Sequence, residues 1–331
     1  MSRKDTRLNR RQFSIGAVVG GLLAPSYVRA QEGFPNRPLR MILPYAPGGA
    51  TDTIARIVAQ RMSDILGQQV IVENKSGAGG VLGTREGVRA EPDGYTILFG
   101  NVSTLVLNAH LYKKLPYDPL KELKPLTLIC DVPNVLVVSQ ESEIASLADL
   151  IKKAKENPGK ESYGTAGNGT IMHLSTVLFE KLTGASMTHV PYRGSLPSLQ
   201  DIMAGRVLMM IDNITGPLAL LKGQKLKALA VSTEKRIPAL PEVPTFAEAG
   251  LPGFVNKSWF GLCTQAATPA PIRQKLEQVT LAAIQHPATQ ERLLELGNIP
   301  RALGAEAFRD FWNQEDTYWK PIVQLSGISL D

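Results

Sequence analysis

The sequence predicts an α/β fold in two lobes, each a mostly parallel sheet flanked by helices, with a ligand cleft between them. Three observations lead there. The apolar run 39–43 reads as a buried strand. It is followed by the Gly-rich turn 44–52 and then by Ile54, Ala55, Ile57, Val58 and Met62 at helical spacing. The same design recurs at 162–170, which leads into Ile171, Leu174, Val177, Leu178 and Leu182. Between and after these units, short apolar runs alternate with helix-period segments, the signature of sheets covered by helices.

A Gly-rich turn between a strand and a helix leaves backbone N–H groups unpaired at the helix N-terminus, and these favour an anion without any basic side chain. Two such turns, one in each half, suggest two lobes gripping one anionic molecule. Taken singly, either turn serves equally well as a plain tight connection.

The remaining elements follow in order. Residues 69–73 and 95–99 read as strands around a short helix at 82–89. The second of these strands ends at 100–104. Residues 119–124 read as loop. Two apolar runs, 126–130 and 135–138, are separated by Asp131-Val132-Pro133-Asn134, where the chain is expected to cross to the second lobe. A helix at 147–155 stops at Asn157-Pro158-Gly159. Strands at 187–192, 207–211 and 226–231 and a helix at 197–204 build the second lobe. A Pro-rich stretch, 238–252, reads as loop with a short helix. The strand 259–264 returns to the first lobe, where helices at 271–296 and 305–325 pack. The expected division is therefore 31–131 with 259–331 as lobe I and 132–258 as lobe II. In parallel sheets ligands sit at the carboxyl ends of strands, where the polar turns of this chain fall.

A chain of 331 residues with 44% apolar content forms one large or two modest domains with a sizeable core. Residues 1–30 read as an export signal. Arg3, Lys4, Arg7, Arg10 and Arg11 precede a short apolar run, 13–23, and Ala30 offers a small residue for cleavage. The Arg10-Arg11-Gln12-Phe13 stretch resembles a twin-arginine signal, although Ser14 and Ile15 depart from the usual continuation, and an ordinary secretion signal remains the alternative. The leader carries five of the six net positive charges. The mature chain is then nearly neutral, and nothing in it resembles a nucleic-acid-binding surface. Cys130 and Cys263 either pair in an oxidising compartment or remain core thiols.

Several ordered stretches resemble the Bug family, the extracytoplasmic solute-binding receptors of tripartite tricarboxylate transporters. They include Pro44-Tyr45-Ala46-Pro47-Gly48-Gly49 with Asp52 and Arg56, Glu73-Asn74 with Gly77-Ala78-Gly79-Gly80, and Pro92-Asp93-Gly94-Tyr95-Thr96. Further matches are Tyr163-Gly164-Thr165-Ala166-Gly167, His189-Val190-Pro191-Tyr192-Arg193-Gly194, Pro241-Glu242-Val243-Pro244-Thr245 and Trp259-Phe260-Gly261-Leu262. The resemblance covers nearly all of the mature chain. It implies a type II periplasmic-binding-protein fold that closes on a small organic acid. The acid's carboxylate is held by main-chain groups and waters of the first turn (Ala46, Pro47, Gly48, Gly49, Ala50) and the second (Thr165, Ala166, Gly167, Asn168, Gly169, Thr170). It implies no cofactor, a monomer in the periplasm, and integral-membrane transporter subunits, or alternatively a membrane sensor, as partner. The implied strand order puts the strands of Cys130 and Cys263 side by side, which keeps a disulfide open.

Tyr45, Asp52, Ser103, Tyr192, Arg193 and Asp212 complete the candidate ligand-binding set. Asp52 reads as an N-cap carboxylate accepting backbone N–H bonds, or as a contact to a ligand amino or hydroxyl group. Arg193 either meets a second carboxylate or stands as a solvated surface arginine, and Asp212 either shapes its turn or reads the far end of the ligand. His173 reads as a structural histidine bonded to backbone. No metal motif is present. Gly77–Gly83 falls short of a dinucleotide fingerprint because Leu82 stands at its third glycine. No Gly-x-Ser-x-Gly elbow occurs, so a hydrolase or isomerase is the weaker alternative.

Overall fold

In the computed structural model, which describes residues 33–330, the run Leu39–Leu43 is strand β1, and helix α1 follows at Ala50–Leu66. Ile54, Ala55, Val58, Ala59 and Met62 form the buried stripe of α1, and Gly67 ends it in the left-handed conformation (φ 65°). Then come β2 (Val70–Asn74), a tight turn at Ala78–Gly80, α2 (Val81–Val88) and β3 (Thr96–Asn101). A π-helical turn, Ser103–Leu107, runs into α3 (Asn108–Leu111), and α4 (Pro119–Glu122) precedes β4 (Leu123–Ser139). The next stretch holds α5 (Leu147–Glu156), β5 (Ser162–Thr165), α6 (Ile171–Thr183), β6 (Thr188–Pro191), α7 (Ser195–Met203), β7 (Met209–Asn213), α8 (Leu218–Lys222) and β8 (Leu226–Val231). The chain ends with β9 (Lys257–Gln265), α9 (Ala270–Gln285), α10 (Pro287–Glu295), β10 (Ile299–Gly304) and α11 (Ala305–Ser326). The export-signal reading concerns residues outside those described.

The strand order is β2-β1-β3-β9-β4-β7-β5-β6, with β8 and β10 also paired to β4. The two ends are parallel, as expected: β1 with β2 and β3, and β5 with β6 and β7. The middle is antiparallel, because β9 returns between β3 and β4, and β7, β8 and β10 all run against β4. A strand that leaves one sheet and enters another necessarily runs against the strand that brings the chain back.

β4 corrects the sequence reading. The two runs around Asp131-Val132-Pro133-Asn134 are one strand, paired with β9 from Leu123 to Pro133 and with β7 from Asn134 onward. Proline usually ends such a ladder. Here Pro133 sits where the partner strands change. Asp131, beside it, is held by Lys257 and Arg301, each at 2.6 Å.

The cysteines are both buried and free. Their strands are neighbours, as the resemblance implied, but the register sets Cys130 against Phe260 and Cys263 against Pro125. That offset of three residues separates them by about 10 Å along the strand, beyond disulfide reach.

Other differences are local. Residues 119–124, expected as loop, form α4 and the start of β4. His286-Pro287 breaks the expected helix 271–296 into α9 and α10. The stretch 238–252 forms turns and one bridge, Val231 to Thr245, without a helix. From Pro35 onward the described residues form a single packed unit. Trp259, Phe308 and Trp312 fill one part of its core, and Phe179, Phe246 and Phe254 another.

Candidate functional site

The first turn is built around the N-terminus of α1. Gly49 is its N-cap in extended conformation, and no side chain caps the helix. Ala46, Pro47, Gly48 and Gly49 are exposed. The amides that open α1 therefore lack a side-chain cap, and the turn in front of them is open to solvent. Asp52 lies one turn in and is 6% exposed. Its Oδ2 accepts from the Gly48 N–H at 3.1 Å and from Arg56 Nε at 3.0 Å, and its Oδ1 accepts from Asn74 Nδ2 at 3.0 Å. Burial pushes the Asp52 carboxyl up, but the bonds from Arg56, Asn74 and Gly48 outweigh it and hold the group below its ordinary range. Asp52 is therefore not the N-cap, a place Gly49 holds; it accepts the one backbone N–H of Gly48 from inside the first turn, and both its oxygens are committed within the protein. Asn74 also donates to the Tyr45 carbonyl at 3.0 Å, so β2 fastens the turn at both ends.

Tyr45 turns inward. Its hydroxyl donates to Asn101 Oδ1 at 3.1 Å, and burial raises its pKa to about 12. A third Gly-rich segment packs here: a Cβ on Gly80, whose φ is +92°, would stand 2.5 Å from Thr104 Cγ2 and 3.4 Å from the Tyr45 hydroxyl. Ser103, in the adjoining π-helical turn, is buried and accepts from the Ile171 N–H at 3.2 Å. That bond, with the Asn168 carbonyl 3.3 Å from the Cβ position of Gly79, brings the second turn against the segments beside the first.

The second turn uses many of its own amides. The Gly167 N–H donates to Thr165 Oγ1 at 3.2 Å, the Gly169 N–H to His173 Nδ1 at 3.2 Å, and Thr170 Oγ1 to the Gly167 carbonyl at 2.8 Å. His173 is the backbone-bonded histidine expected from the sequence. His189, which no spacing singled out, lies 2.7 Å from Thr165 Oγ1 through Nε2, and its ring stacks on His173 with centroids 3.9 Å apart. Asn168 is exposed, while Gly169 and Thr170 are buried. Gly169 (φ +71°) is pressed by Leu111 and by Leu330, whose methyl would stand 2.6 Å from an added Cβ.

Tyr192 and Arg193 follow β6 beside this turn, since the Tyr192 and Gly194 amides donate to the Thr165 and Ala166 carbonyls. The Tyr192 hydroxyl is directed to Asp201 at 2.7 Å, and Arg193 is exposed. Asp212, the last residue but one of β7, lies at the same carboxyl ends of strands as Thr165 but is fully buried. Its Oδ1 accepts from Ser195 Oγ and the Asn213 N–H, and its Oδ2 has no partner. Burial pushes its carboxyl up to about 7 against those two donors. The structure therefore gathers the two turns with Tyr45 and Ser103, and sets Asp52, the Tyr192 hydroxyl and Asp212 behind them. A groove of about 780 Å³, lined by Ser139, Glu141, Asp149, Lys153 and Leu208 among others, lies at the opposite end of β7 from Asp212. Among the described residues no His, Cys, Asp or Glu cluster suits a metal ion, and no helix is long and apolar enough to cross a membrane.

A family model described as the tripartite tricarboxylate transporter family receptor matches residues 54–328. Three solved structures are similar over nearly their whole length. The periplasmic binding protein BugD shares 34% identity at a TM-score of 0.85, covering 89% of this chain and 99% of that one. Rpa4515 of R. palustris, solved with adipate, shares 34% at 0.86 over 89% and 99%. MatC (Rpa3494) from Rhodopseudomonas palustris, solved with bound malate, shares 32% at 0.83 over 88% and 100%. All three share the fold of this chain, the α/β periplasmic-binding-protein fold that BugD carries by name.

Proposed function

The chain belongs to the tripartite tricarboxylate transporter family of receptors, and from that premise we propose that it captures a small organic acid in the periplasm and delivers it to integral-membrane transporter subunits. The observation that carries this reading is the start of α1. An uncapped helix N-terminus stands behind four exposed residues, Ala46 to Gly49, and a second Gly-rich turn packs on the Gly79 and Ser103 segments beside it. Peptide dipoles and N–H groups there accept a carboxylate, and the nearby Arg56 is already engaged by Asp52.

In this reading Ala46, Pro47, Gly48, Gly49 and Ala50 anchor one carboxylate. Ser103, Asn168 and Thr170 close over it, Thr165, Ala166, Gly167 and Gly169 shape the closing turn, and Arg193 meets a second carboxylate. Asp52, Tyr45, Tyr192 and Asp212 support these from behind. Lobe I comprises 31–131 with 259–331 and lobe II comprises 132–258. The change of partners within β4 at Pro133 and Asn134 supports that division. Residues 1–30 direct export, with cleavage near Ala30, and the mature protein works as a monomer. Adipate and malate in the related structures support a di-acid ligand.

The test is a thermal shift panel of mono-, di- and tricarboxylates, aromatic acids and acidic amino acids. At a hundredfold excess over Kd a ligand stabilises the folded state by about 2.7 kcal/mol, which raises Tm by several degrees. A panel in which nothing raises Tm overturns the proposal.

A further inference from the structure

Behind the second turn lies a stack of three rings from three elements. Tyr163 of β5 stacks on His189 of β6 (centroids 5.0 Å, planes 17° apart), and His189 stacks on His173 of α6 (3.9 Å, 17°). The two histidines hold opposite ends of the turn. His189 Nε2 meets Thr165 Oγ1, which in turn receives the Gly167 N–H, and His173 Nδ1 accepts the Gly169 N–H. Because an amide can only donate, His173 Nδ1 carries no proton in this arrangement. Protonating that nitrogen removes the acceptor and sets two donors against each other. A charge on both rings also places like charges about 4 Å apart in a half-buried site, where water screens them poorly.

We propose that His173 and His189 are positioning residues for the 165–170 turn, and that carboxylate capture requires both rings to be uncharged. This rests on the binding role assigned to that turn above. The titratable groups facing the pair are the two rings themselves, Tyr163 from β5 and, beyond Tyr163, Glu180 of α6. Glu180 is engaged with the Met187 N–H at 2.6 Å. None of these supplies a carboxylate to an imidazole nitrogen, so nothing in the stack rewards protonation. Burial depresses both histidines to about 4, and His173 is further lowered by its neighbour. The switch therefore lies on the acid side of neutrality. A compartment open to external acid would reach it.

The experiment compares the mature protein with His173→Phe and His173→Asn. Phenylalanine keeps the stack but cannot accept the Gly169 N–H, whereas the asparagine oxygen can. With adipate and malate as probes, isothermal titration at pH 7 is expected to show about a tenfold loss for His173→Phe, the size of one hydrogen bond. His173→Asn should stay within about threefold of the parent. Between pH 6.5 and 4 the parent should lose affinity more steeply than His173→Asn, a difference that cancels protonation of the ligand itself. In the ligand-free protein, ¹⁵N shifts should report an unprotonated Nδ1 on His173 at pH 7, with the Gly169 amide protected from exchange in the parent and exposed in His173→Phe. Unchanged affinity in His173→Phe, or a protonated Nδ1 at pH 7, overturns the proposal. If neither probe binds, the ligand choice has failed, and the ligand-free measurement still decides whether the histidines hold the turn.

Discussion

Asp52 and Asp212 are the same side chain made into opposite electrostatic objects. Asp52 receives Arg56, Asn74 and a backbone amide and stays charged below its usual range. Asp212 is sealed with two donors on one oxygen and none on the other, and burial lifts it to about 7. A raised folded pKa means that the folded chain holds its proton while the unfolded chain gives it up. The contribution of Asp212 to stability is thus complete below about pH 4 and is lost as pH rises through about 7. The histidine pair runs the other way: its contribution is complete above about 6.5 and is lost as pH falls toward 4. Asp212→Asn removes the first of these alone. Its stability relative to the parent, from urea midpoints at pH 4.5 and pH 8, should improve with rising pH, and an unchanged difference would show that Asp212 is ionised throughout. The sequence made His173 legible, because its bond to the Gly169 amide spans four positions; of the partners of Asp52 only Gly48 and Arg56 are that close. His189, Asn74 and Asn101 were not legible as contributors. Their partners lie 22 or more residues away and meet only through strand register.

At the scale of elements, the sequence located β1 and β8 with their observed ends, since each is a short apolar run bounded by turn signals. It missed β10, an irregular edge strand containing Pro300 and Ala302, the latter at φ +46°. It also split β4, because a proline in a strand ordinarily marks an end, and only the second sheet reveals why this one does not. The joint between α2 and the first turn is tighter than composition suggests. A Cβ on Gly83 would stand 2.7 Å from both Pro44 Cα and the Lys75 carbonyl oxygen, which are backbone atoms with nowhere to rotate. Gly83→Ala must therefore displace the start of the 44–52 turn. A stability loss of about 1–3 kcal/mol is expected, with weaker carboxylate binding in the fraction that folds. Denaturant melts alongside titration calorimetry separate the two effects, and a variant with parental stability would place the helix farther from the turn.

Across the whole molecule, the two-lobed architecture was readable from repetition of one local design, a strand, a Gly-rich turn and a helix, in each half. How the halves touch was not, because Ser103 to Ile171 and Leu330 to Gly169 join residues far apart in sequence with no motif between them. The C-terminal end is tied down by reciprocal backbone bonds, the Leu330 N–H to the Leu111 carbonyl and the Lys113 N–H to the Leu330 carbonyl. Its side chain then rests against Gly169. Leu330→Ala should leave Tm nearly unchanged, since the side chain is only partly buried, while raising the dissociation rate of a bound carboxylate a few-fold in stopped-flow measurements. An unaltered rate would mean that this contact does not help to hold the turns together. The practical consequence reaches into biosensor construction: a fluorescent reporter or affinity handle joined close behind Leu330 would pull on the residue that rests against Gly169, so such cargo calls for a spacer.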